Sequence, residues 1–171
     1  IFNMYNFELI DALPQTTHGG SMRYVIGRKN QHSVNKRVQQ GLDYEKKNNL
    51  DNLRSCINFK KNCEISKKNI RNKLNELKKE EKNICGYAAT SKSTTILNYC
   101  KIGTNYIDYI CDTTKEKIGK FSPGMHIPIK DMNFFHNNMK DCVYLFAWNH
   151  KDEIFNKEKN FKGEWFSHVE L

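Results

Sequence analysis

Small residues, hydroxyls and one lysine gather in Gly86-Tyr87-Ala88-Ala89-Thr90-Ser91-Lys92-Ser93-Thr94-Thr95, after an apolar run and before Ile96-Leu97-Asn98-Tyr99. Such a turn between a strand and a helix suits an anion, because small side chains let backbone N–H groups approach it and the helix N-terminus adds partial positive charge. A phosphate group is the expected ligand. A second cluster runs from Asp112-Thr113-Thr114 through Lys115, Lys117 and Lys120 to Pro123-Gly124-Met125-His126-Ile127-Pro128-Ile129. A loop of this length inside a compact domain is usually functional or disordered, and its prolines with His126 point to an ordered shape. The third cluster is Ala147-Trp148-Asn149-His150, where Asn149 can cap a helix and present polar groups at the same edge. Asp152 and Glu153 follow it, but neighbours on a helix face different directions and do not form an acid/base pair.

The turn at Gly86 allows three readings. Gly-x-x-x-x-Ser-Lys-Ser differs from the phosphate-loop pattern G-x-x-x-x-G-K-[ST] at Ser91, where the glycine before the lysine is missing. The dinucleotide pattern G-x-G-x-x-G keeps only Gly86, although Asp112 stands at the end of the next strand, where a ribose-binding acid belongs. The third reading is a plain strand-to-helix turn with Ser93 as the N-cap.

These clusters need elements to hold them. Residues 7–12 and 21–26 read as two strands joined through Pro14, His18, Gly19 and Gly20. A lone hairpin is barely stable in water, so a sheet for it to join is expected. Residues 34–82 lack proline and repeat Leu53, Cys56, Cys63, Ile70, Leu74 and Leu77 at helical spacing, which predicts two helices with a break near Asn48-Asn49, one apolar stripe and a wet basic face. From residue 83 the pattern alternates: strands over 84–88, 106–111, 142–148 and 164–169, and helices over 93–101 and 150–159. Near-continuous apolar strands alternating with helices predict an α/β fold with a doubly wound parallel sheet. Its ligands would bind beyond the carboxyl ends of the strands, where the loops after residues 87, 112 and 148 meet.

The chain has 171 residues and a net charge of +9. Residues 28–82 carry 16 Lys+Arg against 7 Asp+Glu, so the whole surplus lies in the helical segment. Only Tyr44 and Phe59 interrupt it as aromatics, which argues against stacking on single-stranded nucleic acid and for a solvated helix face. A basic module for nucleic acid or a partner helix is the competing reading. The six cysteines form no C-x-x-C pair, and Cys85, Cys111 and Cys142 sit in apolar runs. Buried reduced thiols are expected rather than disulfides or a metal site, which favours the cytoplasm. No run of 18 apolar residues suggests a membrane span and no signal peptide opens the chain. It starts at Ile1, close to a strand-like segment, and reads as a piece of something longer.

The three clusters together, in this order, resemble the C-terminal domain of the S-adenosylmethionine-dependent sugar-nucleotide C-methyltransferases. Upstream, His18-Gly19-Gly20-Ser21-Met22-Arg23 resembles the segment that closes their methyltransferase domain. One departure is Ala88, where relatives often carry a second glycine. The resemblance implies that residues 1–30 are the tail end of a methyltransferase domain, 31–82 a basic helical linker and 83–171 a Rossmann-like C-terminal domain. It further implies that Lys92, Ser93 and Thr94 contact a sugar-nucleotide diphosphate, with Asn98 and His126 near the sugar or nucleoside. Trp148 and Asn149 would close that pocket. His18, a possible catalytic residue, and Arg23 would face the active-site cleft of the intact enzyme, with a buried structural histidine as the alternative for His18. Family members bind S-adenosylmethionine in a central domain and zinc in an N-terminal one; neither a glycine-rich donor loop, a paired-cysteine cluster nor the Tyr-x-Glu-His base motif occurs here. By this likeness the chain is a substrate-binding part, inactive alone, whose partners are a nucleoside-diphosphate sugar and the upstream methyltransferase domain of the same polypeptide.

Overall fold

The computed structural model describes residues 1–171. They form two compact units, Ile1–Lys61 and Asn62–Leu171. No helix is long and apolar enough to cross a membrane.

In the first unit, β1 (Phe7–Gln15) and β2 (Ser21–Arg28) pair antiparallel into a two-stranded sheet of their own, with a register shift between Leu9 and Asp11. Pro14 is tolerated within β1 because each strand of a ribbon keeps one unpaired edge. A tight turn over Thr17–Gly19 joins the strands, with His18 at φ 57° and Gly20 at φ 126°. Helix α1 (Lys36–Lys47) is capped by Asn35, whose side chain accepts from the Arg37 N–H at 3.1 Å. The Arg37 guanidinium forms an ion pair with the Asp11 carboxylate and so ties α1 to β1. No residue of α1 is buried, and β2 exposes Met22, Tyr24, Val25 and Ile26.

Helix α2 (Leu53–Lys79) follows a break at residues 48–52, where Asn49 takes a left-handed φ of 55°. The expected apolar stripe holds only in its second half: Ile70, Leu74 and Leu77 are buried, whereas Leu53 and Cys56 are exposed. From Asn62 onward the helix is part of the second unit, and its basic face is not merely wet. Arg71 Nη1 donates to the Cys100 carbonyl at 2.8 Å, Lys67 lies 4.8 Å from the Tyr99 ring centroid, and Lys73 pairs with Glu164 at 2.5 Å.

The second unit continues through β3 (Ile84–Tyr87), α3 (Ser91–Cys100), β4 (Ile110–Cys111), β5 (Ile129–Lys130), α4 (Met132–Asn137), β6 (Cys142–Leu145), α5 (Lys151–Lys157) and β7 (Glu164–Phe166). All five strands are parallel, in the order β5-β4-β3-β6-β7. Alternation along the strands sends Ile84, Ile110, Tyr144 and Phe166 to a core shared with α2 and α3, and Cys85, Tyr87, Cys111, Val143 and Leu145 to one shared with α4 and α5. The sheet is therefore doubly wound, as the residue pattern predicts. Several expectations needed correction in detail: the strands over 142–148 and 164–169 end at Leu145 and Phe166. The strand over 106–111 shortens to β4, because Tyr106 and Ile107 donate to the Gly103 carbonyl in a turn. The stretch after Asp112 holds β5 and α4, which a two-residue strand and a six-residue helix capped by Asp131 were too short to announce.

Gly86 turns out to be a packing residue inside β3. A Cβ there would meet the Phe146 ring at 2.7 Å and Ile110 Cγ1 at 3.0 Å. Gly86→Ala should therefore cost about 1–3 kcal/mol through overpacking, read as a lowered midpoint in urea with an unchanged slope.

Candidate functional site

The strand order reverses between β3 and β6, which places a crevice at their carboxyl ends. Two of the expected site clusters meet there. Lys92 Nζ donates to Asn149 Oδ1 at 2.9 Å and lies 4.7 Å from the Trp148 ring centroid. The lysine thus crosses from the first turn of α3 to the loop after β6. In a phosphate loop the lysine would reach over the helix N-terminus toward the outer phosphates, so this position speaks against that reading of Gly86.

The start of α3 also corrects the expected cap. Thr90 is the N-cap, its Oγ1 accepting from the Ser93 N–H at 3.1 Å, and the Ser93 hydroxyl donates to the Thr90 carbonyl at 2.6 Å. Ser93 is 1% exposed. Ahead of the cap, Ala88 adopts φ 73°, a left-handed conformation that glycine reaches more cheaply.

Asp112, 7% exposed at the end of β4, holds this turn in place. Its Oδ2 accepts from the Ala89 N–H at 2.7 Å and its Oδ1 from the Thr114 N–H at 2.7 Å, with Lys117 Nζ at 3.4 Å. Burial pushes the carboxyl up, but the hydrogen bonds from Thr114, the charge of Lys117 and the Ala89 N–H outweigh it and leave the pKa below its ordinary value. The residue in the ribose position is thus a clamp between two loops.

Those loops enclose a cleft of about 290 Å³. Thr90, Ser91, Ser93 and Thr94 line it from α3, and Glu116, Lys117, Lys120 and Phe121 from the segment after β4. Lys92 does not line this cleft. The loop is ordered, as its prolines suggest: Gly119 N donates to the Ile129 carbonyl at 3.0 Å, Ile129 N to Lys120 at 2.8 Å and Ser122 N to Ile127 at 2.9 Å, which makes a narrow ribbon. Asn98 Nδ2 fastens the ribbon to α3 by donating to the carbonyls of Thr94 at 2.8 Å and Pro123 at 2.9 Å. Gly124, at φ 80°, is required beside it, since a Cβ would collide with the Asn98 amide. His126 is exposed at the end of that turn with φ 53° and is not a cleft residue. His18 and Arg23 lie on the hairpin of the first unit; both are exposed, so the buried reading of His18 does not hold.

Several polar groups were not foreseen. His168, two residues past β7, has a buried Nδ1 without a protein partner, and burial followed by the charge of Lys92 holds its pKa below the ordinary value. Its signal in the sequence was alternation: it shares the parity of Phe166, and its ring lies 6.3 Å from that of Tyr144. On the opposite face, the Tyr87 hydroxyl donates to buried Glu158 at 2.8 Å, whose other oxygen meets His136 Nε2 at 2.8 Å. Burial first and then Glu158 push the Tyr87 phenol up, which keeps it neutral. No three His, Cys, Asp or Glu side chains converge to hold a metal ion, and all six cysteines are free thiols.

The family model for the C-methyltransferase C-terminal domain matches residues 16–169. Among curated proteins, the C-methyltransferase NovU of Streptomyces niveus is 28% identical over 162 residues, which is 94% of this chain and 39% of that relative's length.

The geometry makes two checkable statements. Because the folded pKa of Asp112 is lowered, its contribution is complete above the unfolded value of about 4 and drains as pH falls through the folded one. Asp112→Asn should lose about 1–3 kcal/mol at pH 7, with a shallower decline in acid than the parent, measured by denaturation across pH. Ala88→Gly should relieve the left-handed strain and leave stability unchanged or raise it by up to about 1 kcal/mol in the same assay; a clear loss would contradict the strain argument.

Proposed function

Since the chain belongs to the C-methyltransferase C-terminal domain family, we propose that it is the substrate-holding part of an S-adenosylmethionine-dependent methyltransferase acting on a carbon of a nucleotide-linked sugar. The observation that carries this reading is the cleft between the first turn of α3 and residues 116–123, with its hydroxyls and two lysines. A helix N-terminus with neighbouring cations suits a diphosphate, which carries concentrated negative charge and many acceptor oxygens.

The chain spans about two-fifths of the length of its curated relative, 39%. The methyl donor and the catalytic base would sit in an upstream methyltransferase domain of the same polypeptide, and zinc in an N-terminal domain. S-Adenosylmethionine supplies an electrophilic methyl group when bound, but the edge of this sheet does not fit it. Asp112, in the ribose position, is held by Ala89 and Thr114, and the adjoining turn carries Ala88, Ala89 and Thr90 side chains instead of a run of glycines. No chemical step is assigned to this chain; it binds and orients. The exposed apolar residues of β2, Met22, Tyr24, Val25 and Ile26, would be covered by the methyltransferase domain, with His18 and Arg23 turned to its cleft. The reaction would run in the cytoplasm, where such thiols stay reduced.

Titration calorimetry on this chain checks the assignment. Nucleoside-diphosphate sugars should bind weakly, magnesium should not be needed, and S-adenosylmethionine should give no heat. Tight S-adenosylmethionine binding, or magnesium-dependent ATP binding, would overturn the division of labour.

A further inference from the structure

The cleft contains three side chains of the second sequence cluster that had no individual role there: Lys117, Lys120 and Phe121. Lys120 and Phe121 stand on the ribbon that Asn98 fastens to α3, and Lys117 on the turn before it, where its N–H donates to the Thr114 carbonyl at 3.0 Å, so their backbone is fixed before any ligand arrives. Phe121 is 61% exposed although its backbone is bridged to Pro128. This large apolar ring lies beside lysines and hydroxyls and belongs to neither core cluster. Lys120 makes no side-chain hydrogen bond or ion pair, and Lys117 shares Asp112 with two backbone N–H groups at 3.4 Å. Lys92, in contrast, is held by Asn149 and Trp148 away from this cleft.

We propose that the cleft takes the nucleoside-diphosphate half of the sugar nucleotide, with Lys117 and Lys120 holding the diphosphate and the Phe121 ring serving as the platform for the base. The inference rests on the substrate reading above and deepens it. Two lysines and one carboxylate, Glu116, line the cleft, and Asp112 pairs with Lys117 beside it, which leaves Lys120 as the lysine without an ion-pair partner. The Ser91 hydroxyl offers a donor from the α3 wall, whereas Thr94 Oγ1 already donates to the Thr90 carbonyl at 3.4 Å. A volume of about 290 Å³ is at the lower end for a ligand site and suits a nucleoside diphosphate better than a whole sugar nucleotide. The sugar would therefore project out of the cleft toward whatever carries the methyl donor. Base stacking on one aromatic face is tolerant of base identity, so specificity for the nucleotide is expected to be low. Lys92 ties the first turn of α3 to the loop after β6.

Calorimetry of this chain with UDP, dTDP and inorganic pyrophosphate separates the parts. Lys117→Ala combined with Lys120→Ala should weaken all three at least about tenfold, and the parent's affinity should fall with added salt. Phe121→Ala should weaken UDP and dTDP about tenfold and leave pyrophosphate unchanged, while Phe121→Tyr should restore both nucleotides. Lys115→Ala, an exposed lysine of the same loop outside the cleft, controls for net charge. Circular dichroism of each variant shows that the fold is kept. If the parent binds nucleoside-diphosphate sugars but the double lysine variant binds them as well as the parent, or only Lys92→Ala abolishes binding, the inference is overturned and the substrate reading stands. Equal losses of pyrophosphate and nucleotide with Phe121→Ala would remove the base platform. If the parent binds neither nucleoside diphosphates nor their sugars, the substrate reading itself fails.

Discussion

The carboxylate of Asp112 is the joint on which the second unit's functional edge depends. It receives the Ala89 N–H from the turn after β3 and the Thr114 N–H from the loop after β4, and Lys117 lies against it. Both walls of the cleft begin at these contacts. A buried carboxylate is costly unless its lone pairs are filled, and here backbone donors fill them, so position and satisfaction come together. The same arrangement explains why an acid in the ribose position of a doubly wound sheet need not bind ribose.

Around that joint, each loop is held by one polar link to a neighbour. Asn98 ties the ribbon to α3, Lys92 ties α3 to the loop after β6, and Arg71 closes the carboxyl end of α3 from α2. None of these is a large energy by itself, since a net hydrogen bond contributes about 1 kcal/mol. Their effect is on geometry. They fix loops that five short parallel strands, β4 and β5 being two residues each, could not hold by ladder bonds alone. Packing supplies the rest: Gly86 lets Phe146 and Ile110 close over β3, and alternation gives the sheet one core on each side.

Part of the basic segment makes contacts inside the second unit. Its surplus of lysine and arginine invites a nucleic-acid reading, yet within the second unit Lys67, Arg71 and Lys73 lie against an aromatic ring, a helix end and a carboxylate. These contacts fasten α2 to α3 and to β7. The amphipathic stripe likewise becomes core only at Ile70, Leu74 and Leu77, where a sheet face exists to receive it.

Much of the fold was written in local pattern. Hydrophobic periods of two and near 3.6 report which side of an element faces a core, and that is why the hairpin, the break at Asn48-Asn49 and the alternating strands and helices could be read from residue order. The carboxyl-edge location of Lys92, Trp148 and Asn149 followed from the same logic. What order could not carry was direction. Whether Lys92 reaches over its own helix or across to Asn149, whether Asp112 presents its oxygens outward or to Ala89, and whether Ser93 or Thr90 caps α3 depend on contacts between residues up to 57 positions apart or on one dihedral angle. His168 entered the site for a similar reason, since it approaches Lys92 only because β7 lies beside β6. Sequence alone determined residue types and periods, which are local; tertiary structure decided which polar atoms satisfy one another, because burial forces each to find a partner wherever the fold brings one near.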